Sequence, residues 1–139
     1  MIVNFFGTEN LFALNIHKKE IERRFEKIAF FECIKIRNLN FIFLKDKEIF
    51  QLNCKYLHHF YSTDIITFNY DYKNTVNGDI YISIEKVKRN SVVYNSKLRN
   101  ELFRVMIHGI LHLIGYNDKK YKEILIMRKK ENYYLKLFN

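Results

Sequence analysis

Apolar positions recur along the chain with two different periods, and the switches between them mark out its elements. Ile2-Val-Asn-Phe-Phe6 is a β-branched and aromatic run that reads as a strand. From Lys18 to Glu32 the period lengthens. Ile21, Phe25, Ile28 and Ala29 recur at helical spacing with charges between them, which predicts an amphipathic helix. Cys33 to Ile36 and Asn40 to Leu44 read as two strands around a turn at Arg37-Asn38. Asp46 is placed to N-cap a second helix reaching Tyr56, with Ile49 and Leu52 on its core side. Asp64 to Phe68 and Gly78 to Ser83 read as strands on either side of a polar, turn-rich stretch at 71–77, and a short helix is expected over 84–90. Ser96 is placed to cap a long helix over 97–113, whose apolar face carries Leu98, Leu102, Val105 and Ile110. A last helix over 119–137 mixes apolar and basic faces through Tyr121, Ile124, Leu125, Arg128 and Leu135. The sum is a single α+β domain over residues 1–139, a small mixed sheet packed with helices.

Composition bounds this picture. With 139 residues, 48% of them hydrophobic and 17% aromatic, the chain can bury a real core and does not read as disordered. No apolar run approaches the ~20 residues needed to cross a bilayer. The first residues, Met1 to Glu9, lack the basic region of a secretion signal, so a cytoplasmic protein without membrane contact is expected. Cys33 and Cys54 match no metal or redox spacing and are expected as buried, reduced thiols. The net charge of +9 favours a polyanionic partner. Its surplus is concentrated in Lys86, Lys88, Arg89, Lys97, Arg99 and Arg104, and again in Lys119, Lys120, Lys122, Arg128, Lys129, Lys130 and Lys136. Richness in Asn, Ile, Phe and Tyr, with no Pro or Trp, also fits an AT-rich genome, which by itself supplies lysines.

Between the two basic stretches lies Met106-Ile-His-Gly-Ile-Leu-His-Leu-Ile-Gly-Tyr-Asn-Asp118. Residues four apart stand one above the other on a helix, so the imidazoles of His108 and His112 can reach one ion together. Gly115 is suited to end the helix and turn the chain back, which lets Asp118 supply a third ligand. Three protein ligands with an open position is how catalytic zinc sites are built, and a zinc ion, or another divalent ion, is expected here. Metalloproteases place a glutamate beside the first histidine as general base, whereas this chain has Gly109. Peptide hydrolysis is therefore disfavoured. Phosphodiester cleavage is not, since a metal can lower the pKa of bound water to about 7 and stabilise charge on a phosphoryl oxygen. No catalytic side chain is assigned beyond the ligands and the water they would hold. Glu101 lies about two turns before His108 on the same face, either as an acceptor for a ligand's ring N–H or as a plain helix-surface carboxylate. Lys88, Arg99 and Arg104 are candidate phosphate contacts or solvated cations. Asp64 and Asp79 read as turn caps, and His17 and His58 as surface residues. His59, just ahead of the Thr63-Asp64 strand, is a candidate RNA contact.

The run His-Gly-x-Leu-His-Leu-x-Gly-Tyr resembles the YbeY family of bacterial rRNA maturation endoribonucleases. The resemblance extends to Leu52-Asn53 with Tyr56, to Thr63-Asp-Ile-Ile-Thr-Phe68, to Asn77-Gly-Asp-Ile80 with Ile82-Ser83, and to Glu101-Leu102. It covers residues 46 to 130. It implies a zincin-like metal helix and a single-strand-specific, metal-dependent endoribonuclease acting in 16S rRNA 3′-end maturation and ribosome quality control. The implied partners are rRNA and the small ribosomal subunit. Two departures are plain. Asp118 stands where the family usually has a histidine, which alters metal preference more than it removes the site. Leu57 stands where the family commonly has an arginine, and leucine cannot hold a phosphate. That departure favours the rival reading, a non-catalytic ribosome-associated RNA-binding factor with a structural metal. A different metal hydrolase is a third reading.

Overall fold

The computed structural model describes residues 1–7, 15–57, 65–71 and 74–138. Within them lie four strands, β1 (Ile2–Phe6), β2 (Lys35–Leu44), β3 (Ile65–Asn69) and β4 (Thr75–Ser83). Five helices accompany them: α1 (Lys18–Phe31), α2 (Asp46–Leu57), α3 (Ile84–Val93), α4 (Leu98–Leu113) and α5 (Tyr121–Phe138). The sheet runs β1-β2-β4-β3, with β1, β2 and β4 parallel and β3 antiparallel at the edge. This is the mixed α+β architecture that the apolar pattern predicts.

The period-2 rule explains which face is buried. On one side of the sheet Val3, Leu39, Phe41, Val76, Ile80 and Ile82 are buried beneath the helices. Phe25 of α1 stacks on Phe41 with ring centroids 5.3 Å apart, and Phe41 on Phe5 at 5.5 Å. The other side carries a polar row. The Asn4 amide donates to Asn40 at 3.0 Å, Asn40 donates to Asp79 at 2.8 Å, and the Tyr70 hydroxyl donates to Asp79 at 2.7 Å. The bond to Asp79, helped by burial and the carboxylate's charge, pushes the Tyr70 hydroxyl up to about 12. Where that row ends, Tyr56 of α2 meets Phe68 edge-on, and Phe68 meets Tyr81.

Several local expectations are corrected. Arg37-Asn38 is not a turn: β2 runs through it unbroken, with a register irregularity between Ile36 and Asn38. Polar residues that read as turn formers instead line the sheet's solvent face, because neighbouring strands give their side chains partners. Strand β4 begins at Thr75, where pairing with Lys35 starts, so part of the turn-rich stretch is strand. Asp46 lies inside the first turn of α2, whose leading amides are taken by the Lys45 carbonyl. Its carboxylate accepts from Ser83 and pairs with Arg89 at 2.6 Å. In α2 Asn53 is buried while Leu52 is only half-buried. Ser83 caps α3, which extends to Val93, beyond the expected end at residue 90. Ser96 does not cap α4; its hydroxyl donates to Glu101 at 3.2 Å. In α5 the core side is Met127, Glu131 and Tyr134, while Tyr121, Ile124 and Leu125 are exposed. Cys33 is exposed at a positive-φ turn after α1 and Cys54 is half-buried; both are free thiols, but neither is fully buried. Asp64, His58 and His59 lie outside the described residues. No helix among the described residues is long and apolar enough to cross a membrane.

One polar cluster ties α1 to α5. The Glu32 carboxylate, with its side chain 5% exposed, takes Lys130 at 2.8 Å and the hydroxyls of Tyr116 and Tyr134. Burial pushes the Glu32 carboxyl up, but the three donors together outweigh it and hold the group below its ordinary value of 4.5. A carboxyl depressed in the fold contributes stability above its unfolded value and loses it as pH falls through the folded one. Glu32→Gln is expected to cost ~2 kcal/mol near neutrality by weakening these charge-assisted bonds. Thermal melts of wild type and variant should converge as pH drops below 4.5; a gap that persists unchanged into acid would remove the charge from this account.

Candidate metal centre

Helix α4 lies at the middle of the molecule. Between Glu101 and Leu113 every residue is buried except Arg104, His108 and His112, which are half-buried and spaced by four. One stripe of the helix therefore reaches solvent, and both histidines are on it. Gly109, the next position round, faces the sheet. A Cβ there would come within 2.8 Å of Ile65 Cδ1 and 3.0 Å of Ile80 Cγ2. Glycine lets helix and sheet approach closely, and no larger side chain fits without movement.

The helix ends in a Schellman turn. Gly115 N–H donates to the His112 carbonyl at 3.1 Å and Tyr116 N–H to the Leu111 carbonyl at 3.0 Å, with Gly115 at φ +109°. The Asn69 amide of β3 donates to the Leu113 carbonyl at 2.9 Å. The turned chain returns Asp118 over the two rings. Asp118 Oδ2 lies 3.3 Å from both His108 Nε2 and His112 Nε2, and the two Nε2 atoms lie 2.9 Å apart.

These residues fit a divalent ion. Ligands of a tetrahedral ion with bonds of ~2.0–2.1 Å stand about 3.3 Å from one another, close to the three separations here. The three ligand atoms lie within 4.8 Å of one another. The chemistry of the donors agrees. Glu131 Oε2 lies 2.8 Å from His108 Nδ1, which places a proton on Nδ1, and in the neutral, ligating ring this leaves the Nε2 lone pair facing the Asp118 carboxylate. Two electron-rich atoms in that position are relieved by a cation between them. The negative end of the α4 dipole adds to the attraction. The side chains of His108, His112 and Asp118 are 22%, 24% and 40% exposed, so the centre opens to solvent.

The carboxylate against the His108 ring is thus Glu131; for Glu101 the sequence leaves open a ring acceptor or a helix-surface carboxylate, and the surface reading fails because the side chain is buried. Glu101 is buried, accepts from Ser96 and lies 4.0 Å from Arg104. Nothing in the sequence marks Glu131, because it comes from α5, 23 residues beyond His108, and only docking of α5 on α4 brings it in. Arg104 donates to Asn132 at 2.9 Å and Glu131 at 3.4 Å beside the site. Arg99 is away from it, paired with Glu20 and bonded to the Asn15 carbonyl. Lys88 is exposed on α3. Leu57 is the exposed last residue of α2. Asp79 sits mid-strand in the polar row rather than capping a turn.

Comparison with known proteins shows what the chain as a whole is similar to. The family model described as endoribonuclease YbeY matches residues 8–139. The curated endoribonuclease YbeY of Karelsulcia muelleri (strain GWSS) is 47% identical over 115 residues, 80% of this chain and 82% of that one. That of Christiangramia forsetii is 42% identical over 137 residues, covering 99% of this chain and 94% of its own. Among solved structures, the solution structure of a Thermotoga maritima protein superposes with a TM-score of 0.68 at 27% identity, over 99% of this chain and 89% of that chain.

Removing the Glu131 carboxylate should loosen the His108 ring without unmaking the ligand set. Glu131→Ala is expected to weaken divalent-metal affinity by ~10–100-fold, read by competition with a chromogenic chelator. His108→Ala should abolish stoichiometric binding. Equal affinities for wild type and Glu131→Ala would show that Glu131 does not position the ring.

Proposed function

The chain belongs to the endoribonuclease YbeY family, and from that membership we propose that it is a metal-dependent endoribonuclease that cleaves single-stranded RNA. Its place is 16S rRNA 3′-end maturation and ribosome quality control, its partners are rRNA and the small ribosomal subunit, and its compartment is the cytoplasm. The ion is proposed to be zinc, held by His108, His112 and Asp118. The observation that carries the reading is the convergence of these three side chains at solvent-open positions.

When bound, the ion supplies Lewis-acid polarisation of a phosphoryl oxygen and a lowered pKa for water at neutral pH. The protein's own contribution is placement. Glu131 fixes the His108 ring and leaves its Nε2 aimed at the centre. The Schellman turn at Gly115 sets the distance of Asp118. Gly109 carries no carboxylate and is shut against Ile65 and Ile80, so the position that serves as base in metalloproteases is closed here. Together these features favour a phosphodiester over a peptide as substrate.

A purely structural metal is disfavoured by the core. Val3, Phe25, Phe41, Ile80, Leu102, Met106 and Ile110 pack without any help from the ligands, which stand at its edge. Chelation is therefore expected to abolish cleavage of a single-stranded oligoribonucleotide while lowering the melting temperature by only a few degrees. His112→Ala should reduce cleavage by about 1000-fold or more, the order expected from losing several kcal/mol of charge stabilisation. Collapse of the fold on chelation, with no cleavage by the loaded wild type, would favour the non-catalytic RNA-binding reading instead.

A further inference from the structure

We propose that Arg128 is the phosphate-holding residue of this centre, gripping the RNA strand in the cavity beside the metal ligands. The proposal rests on the nuclease reading for its substrate class, and on geometry for the residue. A cavity of about 430 Å³ adjoins the ligands, with His108, Asp118, Arg104, Glu131, Arg128 and Tyr94 in its wall. Its two arginines differ in kind. Arg104 is spent on the protein, donating to Asn132 and Glu131. Arg128 is exposed and, among the described residues, forms no ion pair or hydrogen bond. It stands three residues before Glu131 on α5, and so shares a face with the carboxylate that holds His108.

A guanidinium in that place has a specific use. It keeps its charge at every working pH and presents a planar fork of donors matched to a phosphodiester's two free oxygens. The neighbouring carboxylates are occupied: Glu131 by His108 and Arg104, Glu101 by Ser96 and Arg104, and Asp118 by the two histidine rings. Among the described residues of the cavity wall, Arg128 is thus the available cation. In the wall of the same cavity, Tyr94 at the end of α3 is 71% exposed and offers a ring on which an unpaired base can stack. Stacking accepts any base, and a base can reach the ring only when it is free of a duplex, so this wall suits a single strand.

The test uses metal-loaded wild type, Arg128→Ala, Arg128→Lys and Lys129→Ala. Lys129 is the neighbouring cation on α5, but it lines a different groove with Phe31 and Tyr133. Binding of a fluorescein-labelled single-stranded oligoribonucleotide is followed by anisotropy over a salt series, and cleavage of the same strand on a gel. Arg128→Ala is expected to melt like wild type, to bind about tenfold more weakly, and to flatten the log K against log salt slope by ~0.7, the loss of one single-strand phosphate contact. Its kcat/KM should fall at least about tenfold, beyond the loss from Lys129→Ala. Arg128→Lys should recover the salt slope but only part of the rate, because an ammonium lacks the fork. An unchanged slope and affinity in Arg128→Ala overturns the proposal, as does an equal change in Lys129→Ala. If wild type cleaves and Arg128→Ala matches it throughout, Arg128 falls and the nuclease reading stands. If binding depends on Arg128 but no protein cleaves, the nuclease reading falls and the grip stands. Failure of wild type to bind or cleave RNA sinks both.

Discussion

Close contact between α4 and the sheet governs this molecule. Gly109 has no side chain, and so the helix settles against Ile65 and Ile80. Packing of α3 and α5 then closes most of the remaining circumference. A helix buried on nearly every side has one stripe left for chemistry, and Arg104, His108 and His112 fill it. The candidate metal centre is therefore a consequence of how the helix is buried. The glycine that permits the contact also removes the protease base, so one residue shapes both the packing and the chemistry.

Helix α5 completes what α4 begins. Its inner face brings Glu131 to the His108 ring, and Tyr134 and Lys130 to Glu32 at the end of α1. Tyr116, in the turn that delivers Asp118, reaches the same Glu32 carboxylate. The candidate third ligand, Asp118, and the partner of His108 are thus secured by one docked helix. Buried polar groups of this kind are costly when unpaired and define a unique arrangement when satisfied. Glu32 with its three donors, and Glu131 between Arg104 and His108, are of the satisfied kind.

Along the rest of the chain, local pattern and tertiary setting disagree in instructive places. Arg37-Asn38 reads as a turn because asparagine favours turns in isolation. In the sheet, Asn40 finds Asn4 and Asp79 as partners, and the strand continues. Tyr121, Ile124 and Leu125 read as an apolar face, yet α5 turns Met127 and Tyr134 inward and leaves them in solvent. Helical periodicity gives the angle between residues but not which angle meets the core. Asp46 and Ser96 each read as a cap, yet Asp46 spends its side chain on Ser83 and Arg89 of other elements, and Ser96 on the Glu101 side chain in the first turn of α4.

The sequence by itself determined the run of strands and helices apart from the turn it placed inside β2, the mixed sheet with its helices, and the trio His108, His112 and Asp118. The trio was legible because its chemistry is written in one short run, where helical spacing and a glycine turn fix geometry locally. Tertiary structure alone decided that Glu131 rather than Glu101 faces the His108 ring, that Arg99 is tied to Glu20, and that Arg128 shares a cavity with the ligands. Those relations join residues on separate helices. No periodicity along one segment encodes the angle at which two helices dock, because that angle is set by the side chains packed between them.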